Sequence, residues 1–285
     1  METIDSNESL RNRVAAWHRQ EERIAFVPTM GNLHQGHLEL VRRASESAQH
    51  VVVSIFVNPL QFGLNEDFIA YPRTLAADQE QLVALNVDIL FNPSEEELYP
   101  DGQTTQTRVE VPSLSSILCG TSRQGHFSGV STIVCKLFNL VQPNVAMFGE
   151  KDYQQLLIIK RMVRDLNLAI EIVGVPTVRD TDGLAMSSRN NYLSPAERAK
   201  APILYQAIQE GAQGLMHGFA PLRAETTVYN ALRSAGFRPD YVKIRRTIDL
   251  GEPTKDDVDL IILAAAYLGR TRLIDNLRVP NVPLA

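Results

Sequence analysis

Five short apolar runs punctuate the first two-thirds of the chain: Ile24 to Val27, Val51 to Val57, Val87 to Phe91, Val145 to Phe148 and Ile170 to Val175. They are rich in Val and Ile, have strand length, and largely lack the in-out alternation of a strand with one wet face. Between them lie stretches with helical spacing, at about Gly36 to Gln49, Ala76 to Leu85, Ser128 to Leu140 and Tyr153 to Leu166. A strand that is apolar on both sides must be covered on both sides. Helical crossovers between parallel strands do this. The order predicts an α/β fold, a doubly wound parallel sheet. Pro28 is expected to end the first strand, and Asn58-Pro59 the second.

The texture changes after about Asn190. Ser194-Pro195 combines a cap with a first-turn proline and predicts a long amphipathic helix to Met216, followed by a second from Pro221 to Ala235. Strand-like pieces follow at Tyr241 to Arg245, Leu260 to Tyr267 and Thr271 to Asn276. This predicts a smaller α+β domain, with residues 1–176 forming the first domain and 177–285 the second. A chain of 285 residues has room for both.

Composition narrows the function classes. A net charge of −5 gives no general basic surface for nucleic acid. No run approaches the ~20 apolar residues of a membrane helix, and METIDSNESLRNRVAAWHRQ at the N-terminus has no apolar core of a signal peptide. Cys119 and Cys135 lack paired-ligand spacing and read as buried thiols of a reducing compartment. The chain is therefore expected to be cytoplasmic, with small-molecule partners, no nucleic acid and no membrane.

Four polar clusters carry the chemistry. The first is P-T-M-G-N-L-H-Q-G-H, Pro28 to His37, between a strand and a helix. In open α/β sheets, ligands bind beyond the carboxyl ends of the strands. Gly31 and Gly36 permit tight turns and close approach, and the new helix offers free N–H groups to phosphate. On a helical turn, His34 and His37 lie about 60° apart on one face, where imidazoles donate to phosphate oxygens as charge builds. H-x-x-H alone also suits a zinc pair or two structurally satisfied histidines, although no Glu follows the first His.

The second cluster is F-V-N-P-L-Q-F-G, Phe56 to Gly63, where Asn58 and Gln61 suit hydroxyl and amide partners, or simply furnish a polar turn. The third is F-G-E-K-D-Y-Q-Q, Phe148 to Gln155. Lys151 is a point charge able to follow a phosphate, Asp152 is a site carboxylate or a helix cap, and Gln155 lies three residues on. The fourth, G-L-A-M-S-S-R-N from Gly183 to Asn190, is expected as a mobile loop at the domain boundary. Ser187 and Ser188 offer hydroxyls and Arg189 a guanidinium fork. Ser-Ser-Arg turns are common, so the weight lies in the four clusters together.

Together these blocks resemble the pantothenate synthetases, the pantoate–β-alanine ligases of the wider HxGH nucleotidyltransferase superfamily. The likeness is carried by PTMGNLHQGHLELV, SIFVNPLQFG with NEDFIAYPRTLAAD, GHFSGVSTIVCKLFNLVQPNVAMFGEKDYQQL and DGLAMSSRNNYLS, and spans about residues 24 to 194. The His-x-Gly-His element specifies only the superfamily; NPLQFG and NLVQPNVAMFGEKD are more specific. Gln124 departs from the family, which often has Pro there, and Met186 and Cys135 are minor variants.

The resemblance implies a Rossmann-like domain, a small C-terminal lid, a homodimer, and Mg²⁺ with ATP. It implies a two-step reaction. The carboxylate of (R)-pantoate attacks the α-phosphate and releases pyrophosphate; the amine of β-alanine then displaces AMP. It implies ATP contacts at Met30, Gly31, Asn32, Leu33, His34, Gln35, Gly36 and His37, at Gly149, Glu150, Lys151 and Asp152, at Val178, and at Met186, Ser187, Ser188 and Arg189. Gln61 and Gln155 are implied for pantoate, Gln61 also for β-alanine, with Asn58 beside them. His34, His37, Lys151, Ser187, Ser188 and Arg189 are the implied phosphate-directed catalytic groups. The family position of His37 is that of a proton donor. An electrostatic role is favoured here, because loss of Mg²⁺-bound pyrophosphate does not require a proton. Arg123, His126, Tyr71 and Asp78 are implied as a second tier, Asp78 near the metal. A tRNA-charging enzyme is disfavoured by the acidic balance, and a non-catalytic nucleotide binder by so many charge-stabilising donors.

Overall fold

The computed structural model describes residues 1–63 and 66–282; Asn65, which opens the NEDFIAYPRTLAAD block, lies outside the described residues. The chain divides into two compact units, Met1–Glu150 with Ile158–Pro176, and Lys151–Leu157 with Thr177–Ala285. Residues 151–157 thus group with the second unit, not with the first as the linear reading had them.

The first unit runs β1 (Glu2–Ile4), α1 (Asn7–Arg19), β2 (Ile24–Thr29), α2 (Gln35–Ser45), β3 (His50–Ile55), α3 (Leu75–Ala84), β4 (Ile89–Phe91), α4 (Glu95–Leu98), α5 (Cys119–Ser122), α6 (His126–Val141), β5 (Val145–Gly149), the part of α7 (Tyr153–Asp165) from Ile158 onward, and β6 (Glu171–Val175). The six strands form one parallel sheet in the order β1-β4-β3-β2-β5-β6. Consecutive residues of β2 show why its apolar run is continuous. Ala25 and Val27 pack in one core with Leu38 and Val41 of α2. Phe26, pointing to the other face, meets Phe138 of α6 edge-on, with ring centroids 6.3 Å apart.

Three expectations are corrected. β1 is an additional edge strand that pairs Glu2 with Ile89; its three residues, E-T-I, carry too little apolar signal to be read as a strand. Pro28 does not end β2 but sits inside it, in register with Ser54 of β3. The ladder to β5 has already stopped at Phe26, so there the missing N–H of Pro28 costs no bond. α2 stops at Ser45, short of Gln49, where Ser45 and Ser47 donate their hydroxyls to the carbonyls of Arg42 and Arg43.

The order places the topological switch at β2. The next strand in the chain, β3, lies on one side and β5 on the other, so the carboxyl ends of β2 and β5 border the crevice where such sheets bind ligands.

The second unit contains α8 (Pro195–Lys200), α9 (Ile203–Met216), α10 (Pro221–Ser234), and the antiparallel strands β7 (Arg238–Arg246), β8 (Leu260–Leu268) and β9 (Thr271–Val279), in the order β7-β8-β9. The single helix expected from Pro195 to Met216 is two. Pro202 has no N–H to continue the ladder, so the chain breaks between Lys200 and Ile203. α8 opens on a capping box, Ser194 and Glu197 exchanging side-chain and main-chain bonds. Leu204, Ile208 and Leu215 of α9 share a core with Val228 of α10 and Ile262 and Ala264 of β8. No helix among the described residues is long and apolar enough to cross a membrane.

Candidate active site

The loop after β2 is shaped by one buried carboxylate. Gly31 and Asn32 adopt successive positive φ values, +79° and +51°, turning consecutive N–H groups to one side. Asp78 of α3, 1% exposed, receives them: Oδ2 accepts from the N–H of Asn32 at 2.9 Å and Oδ1 from that of Leu33 at 2.8 Å. The Thr74 hydroxyl lies 3.2 Å from both oxygens. A Cβ on Gly31 would stand 3.2 Å from Asp78 Oδ2 and 3.0 Å from Ile55, in a left-handed conformation, so glycine fits the position. Asp78 thus clamps the loop that carries the histidines. Among the described residues, no group of three or more His, Cys, Asp or Glu is arranged to hold a metal ion.

His34 and His37 do not share a helical turn as expected. His34 is the extended N-cap of α2, with φ −135° and ψ 174°. Its Nδ1 accepts from the N–H of Gly36 at 3.1 Å, and Nδ1 of His37 accepts from the N–H of His34 at 3.4 Å. With both Nδ1 atoms accepting, the proton of each neutral ring sits on Nε2. The rings lie 4.1 Å apart between centroids. The cap therefore fixes a pair of imidazoles as N–H donors at the mouth of a helix N-terminus, the polarity an anion requires.

At the end of β3, Asn58 does not present its amide to a substrate. It is 1% exposed, and its four hydrogen-bonding positions are filled. Nδ2 donates to Gln61 Oε1 at 3.1 Å and to the Gly129 carbonyl at 3.2 Å; Oδ1 accepts from the Leu60 N–H at 3.3 Å and the Tyr99 hydroxyl at 2.8 Å. The substrate contact expected of Asn58 is thus replaced by the support of Gln61. α6 approaches closely at this point: a Cβ on Gly129 would fall 2.2 Å from the Leu60 carbonyl oxygen.

Of the second tier, Arg123 and His126 join the same region. His126 Nδ1 donates to the Gln61 carbonyl at 2.8 Å, Arg123 Nη1 lies 2.9 Å from His126 Nε2, and Arg123 forms a two-pronged pair with Glu66 at 2.5 and 2.7 Å. Burial pushes the Glu66 carboxyl up, but the Arg123 contact outweighs it and leaves the group below its ordinary range. Tyr71 is buried with its ring against Phe62.

In the second unit, Lys151 and Asp152 lie in a short 3₁₀ turn before α7, 3.9 Å apart between charged atoms. The Lys151 carbonyl accepts from Asn276 Nδ2 of β9 at 2.9 Å, and the Tyr153 hydroxyl donates to the Thr247 carbonyl at 3.0 Å. Gln155, half-buried, follows in the first turn of α7. Val178 and Met186 are joined across a small hairpin, the N–H of Met186 donating to the Val178 carbonyl at 3.0 Å. Gly183, at φ +93°, makes its turn. Ser188 and Arg189 open a short 3₁₀ turn, Ser188–Tyr192. Ser187 caps this turn, its oxygen accepting from the Arg189 N–H at 3.3 Å, which leaves its hydroxyl proton free to donate to another group.

The profile of the pantoate-beta-alanine ligase family matches residues 2–278. The chain belongs to this family. A pantothenate synthetase of Pseudomonas putida strain KT2440 is 58% identical over 280 residues, 97% of each chain, and one of Shewanella baltica is 57% identical over 271 residues, 95% of this chain and 96% of the relative. The crystal structure of a Thermus thermophilus pantothenate synthetase superposes with a TM-score of 0.92 at 48% identity, covering 98% of this chain and all of the other. A Francisella tularensis pantoate-beta-alanine ligase, complexed with beta-gamma ATP and β-alanine, superposes at 0.83 with 36% identity over 97% of each chain.

Sequence reasoning missed the supporting layer of this ligase: Tyr99 behind Asn58, Thr74 beside Asp78, and Asn276 behind Lys151. Tyr99 and Asn276 lie far in sequence from their partners, and only the folded chain brings them together; Thr74 shares the NEDFIAYPRTLAAD block with Asp78, four residues away, but nothing in that block marks the contact.

Proposed function

We propose that the chain performs the pantoate–β-alanine ligase reaction through a pantoyl-adenylate, with the groups above in named roles. ATP, brought in with Mg²⁺ on its phosphates, is held by Met30 to His37, Gly149 to Asp152, Val178, and Met186 to Arg189. No side chain is assigned to the Mg²⁺ ion. A carboxylate oxygen of (R)-pantoate, held by Gln61 and Gln155, attacks the α-phosphorus; the bond to the bridging oxygen breaks and pyrophosphate leaves. The Nε2–H donors of His34 and His37, the Lys151 ammonium, the Ser187 and Ser188 hydroxyls and the Arg189 guanidinium stabilise the charge that gathers on the phosphate oxygens. His37 acts as an electrostatic donor and transfers no proton. The amine of β-alanine then attacks the acyl carbon, the bond to the AMP oxygen breaks, and the amine gives up a proton as the amide forms.

The observation that carries this reading is the imidazole pair whose Nδ1 atoms are committed to the main chain, in a chain whose family performs this reaction. A pure binder has no need of two pre-oriented donors at a helix N-terminus. The 36% identical relative complexed with ATP and β-alanine supports the same two ligands here. The family likeness extends the proposal to a C-terminal lid, a homodimer and the cytoplasm; sedimentation as a species of twice the chain mass tests the dimer. For the chemistry, enzyme mixed with ATP, Mg²⁺ and pantoate is expected to release about one equivalent of pyrophosphate, and to turn over continuously once β-alanine is added. No release before β-alanine contradicts the adenylate.

A further inference from the structure

The Gln61 carboxamide can face a substrate with its oxygen, an acceptor, or with its –NH₂, a donor, and the two choices select opposite partners. The structure decides between them through main-chain groups whose roles cannot be exchanged. Asn58 Oδ1 receives the N–H of Leu60, which only donates, and Asn58 Nδ2 faces the carbonyl of Gly129, which only accepts. Asn58 is therefore held in one orientation. The Tyr99 hydroxyl, buried beneath it, adds a second and shorter donor to Oδ1, at 2.8 Å. Burial, with the charge of Glu95, raises the Tyr99 pKa far above the neutral range, so the phenol keeps the proton it donates. The Lys136 ammonium lies over the Tyr99 ring, 5.2 Å from its centre, and donates to the neighbouring Leu98 carbonyl.

The consequence passes to Gln61. The remaining proton of Asn58 Nδ2 goes to Gln61 Oε1 at 3.1 Å, so the glutamine oxygen is turned inward and committed. Its Nε2 is turned the other way, 3.0 Å from the Met30 thioether, which is a weak acceptor. A buried –NH₂ against sulfur is poorly satisfied, and an oxygen acceptor would satisfy it better.

We propose that Tyr99, acting through Asn58, is a positioning residue that fixes the polarity of Gln61, so that Gln61 receives an oxygen atom of the acid substrate through its –NH₂. This rests on the reading of Gln61 as a substrate-binding group, and it adds a direction. Gln61 reads hydroxyl or carboxylate oxygens and does not accept the N–H of the attacking amine.

Three variants test it in pantoate-dependent exchange between pyrophosphate and ATP, with thermal unfolding measured alongside. Gln61→Glu keeps an oxygen toward Asn58 but puts a second, charged acceptor where the donor stood. The apparent KM for pantoate is expected to rise ~10²-fold or more, well beyond the rise in Gln61→Met, because the carboxylate repels the substrate oxygen that the –NH₂ had received. Tyr99→Phe should raise the KM for pantoate about 3- to 10-fold, the worth of one neutral hydrogen bond. Its KM for ATP and its rate at saturating pantoate should stay within about twofold. A Gln61→Glu enzyme that binds pantoate as well as wild type would show the oxygen facing the substrate and overturn the proposal. So would a folded Tyr99→Phe enzyme with unchanged KM, or one with equal losses toward ATP and pantoate. If Tyr99→Phe does not fold, the Gln61 pair still decides. Absence of pantoate-dependent exchange in the wild type would instead contradict the proposed function.

Discussion

Asn276 donates from Nδ2 to the main-chain carbonyl of Lys151 at 2.9 Å, across 125 positions of sequence. The bond ties the turn bearing the phosphate-directed ammonium to β9. Behind it, the neighbouring Asp275 carboxylate, 3% exposed, accepts the N–H of Asn276 at 2.8 Å and a two-pronged contact from Arg179 at 2.6 and 2.8 Å. The guanidinium of Arg179 is stacked 3.4 Å over the Tyr205 ring. Lys151 is thus backed by a paired buried charge, which resists movement because breaking it strands a carboxylate.

Asn276→Leu keeps the volume and removes the donor. It is expected to slow single-turnover adenylate formation about 3- to 10-fold, as one hydrogen bond is lost, while the KM for β-alanine stays unchanged. Quenched-flow measurement of AMP-ester formation checks this, and an unaltered rate in a folded variant would remove the positioning role.

The Asp78 clamp makes a separate expectation. Asp78→Asn offers one acceptor oxygen in place of two, so at least one of the N–H groups of Asn32 and Leu33 loses its partner. A buried unsatisfied donor costs about 1–3 kcal/mol. The urea midpoint should fall accordingly, and the adenylation rate should fall with it because the loop leads into His34. A variant as stable and as fast as wild type would show that the loop holds its shape without Asp78.

Acid sensitivity follows from Glu66. Its folded-state pKa lies below the ordinary 4.5, so its pairing with Arg123 stabilises the folded chain fully above pH 4.5. That contribution fades as the pH falls through the depressed folded value. The difference in melting temperature between wild type and Glu66→Gln should be constant from about pH 5.5 to 7 and should shrink below pH 4.5. A gap that widens on acidification would contradict the sign of this linkage.

Much of this was legible before folding because the relevant signals are local. The apolar runs predict a buried parallel sheet, and strand-to-helix handovers place Pro28–His37 and Phe148–Gln155 at its carboxyl edge. The tripeptide of β1 was not legible, since its pairing with β4 supplies what its own composition lacks. The break at Pro202 was legible in principle; the amphipathic pattern on either side of it outweighed the proline. What the sequence hid most completely was the division of labour among polar side chains. Asn58 and Gln61 look alike in N-P-L-Q, yet one is saturated by Leu60, Tyr99 and Gly129 and the other keeps a poorly paired –NH₂. His34 and His37 read as a helical pair, whereas the capping bonds that set their tautomers exist only once His34 leaves the helix.

Binding and chemistry should separate by substitution. Gln155→Ala is expected mainly to weaken pantoate binding, by on the order of 1–3 kcal/mol. His37→Ala and Lys151→Ala are expected to lower the adenylation rate at saturating substrates by ~10²–10³-fold each. Steady-state kinetics in which all three lose affinity and rate equally would overturn these roles.

The central claim is that activation of pantoate precedes and does not need the amine. Exchange of labelled pyrophosphate into ATP measures this step in isolation. With enzyme, Mg²⁺ and ATP, label should enter ATP when pantoate is added, with β-alanine absent, and should not enter without pantoate. Exchange that appears only when β-alanine is present would contradict the pantoyl-adenylate and the roles built on it.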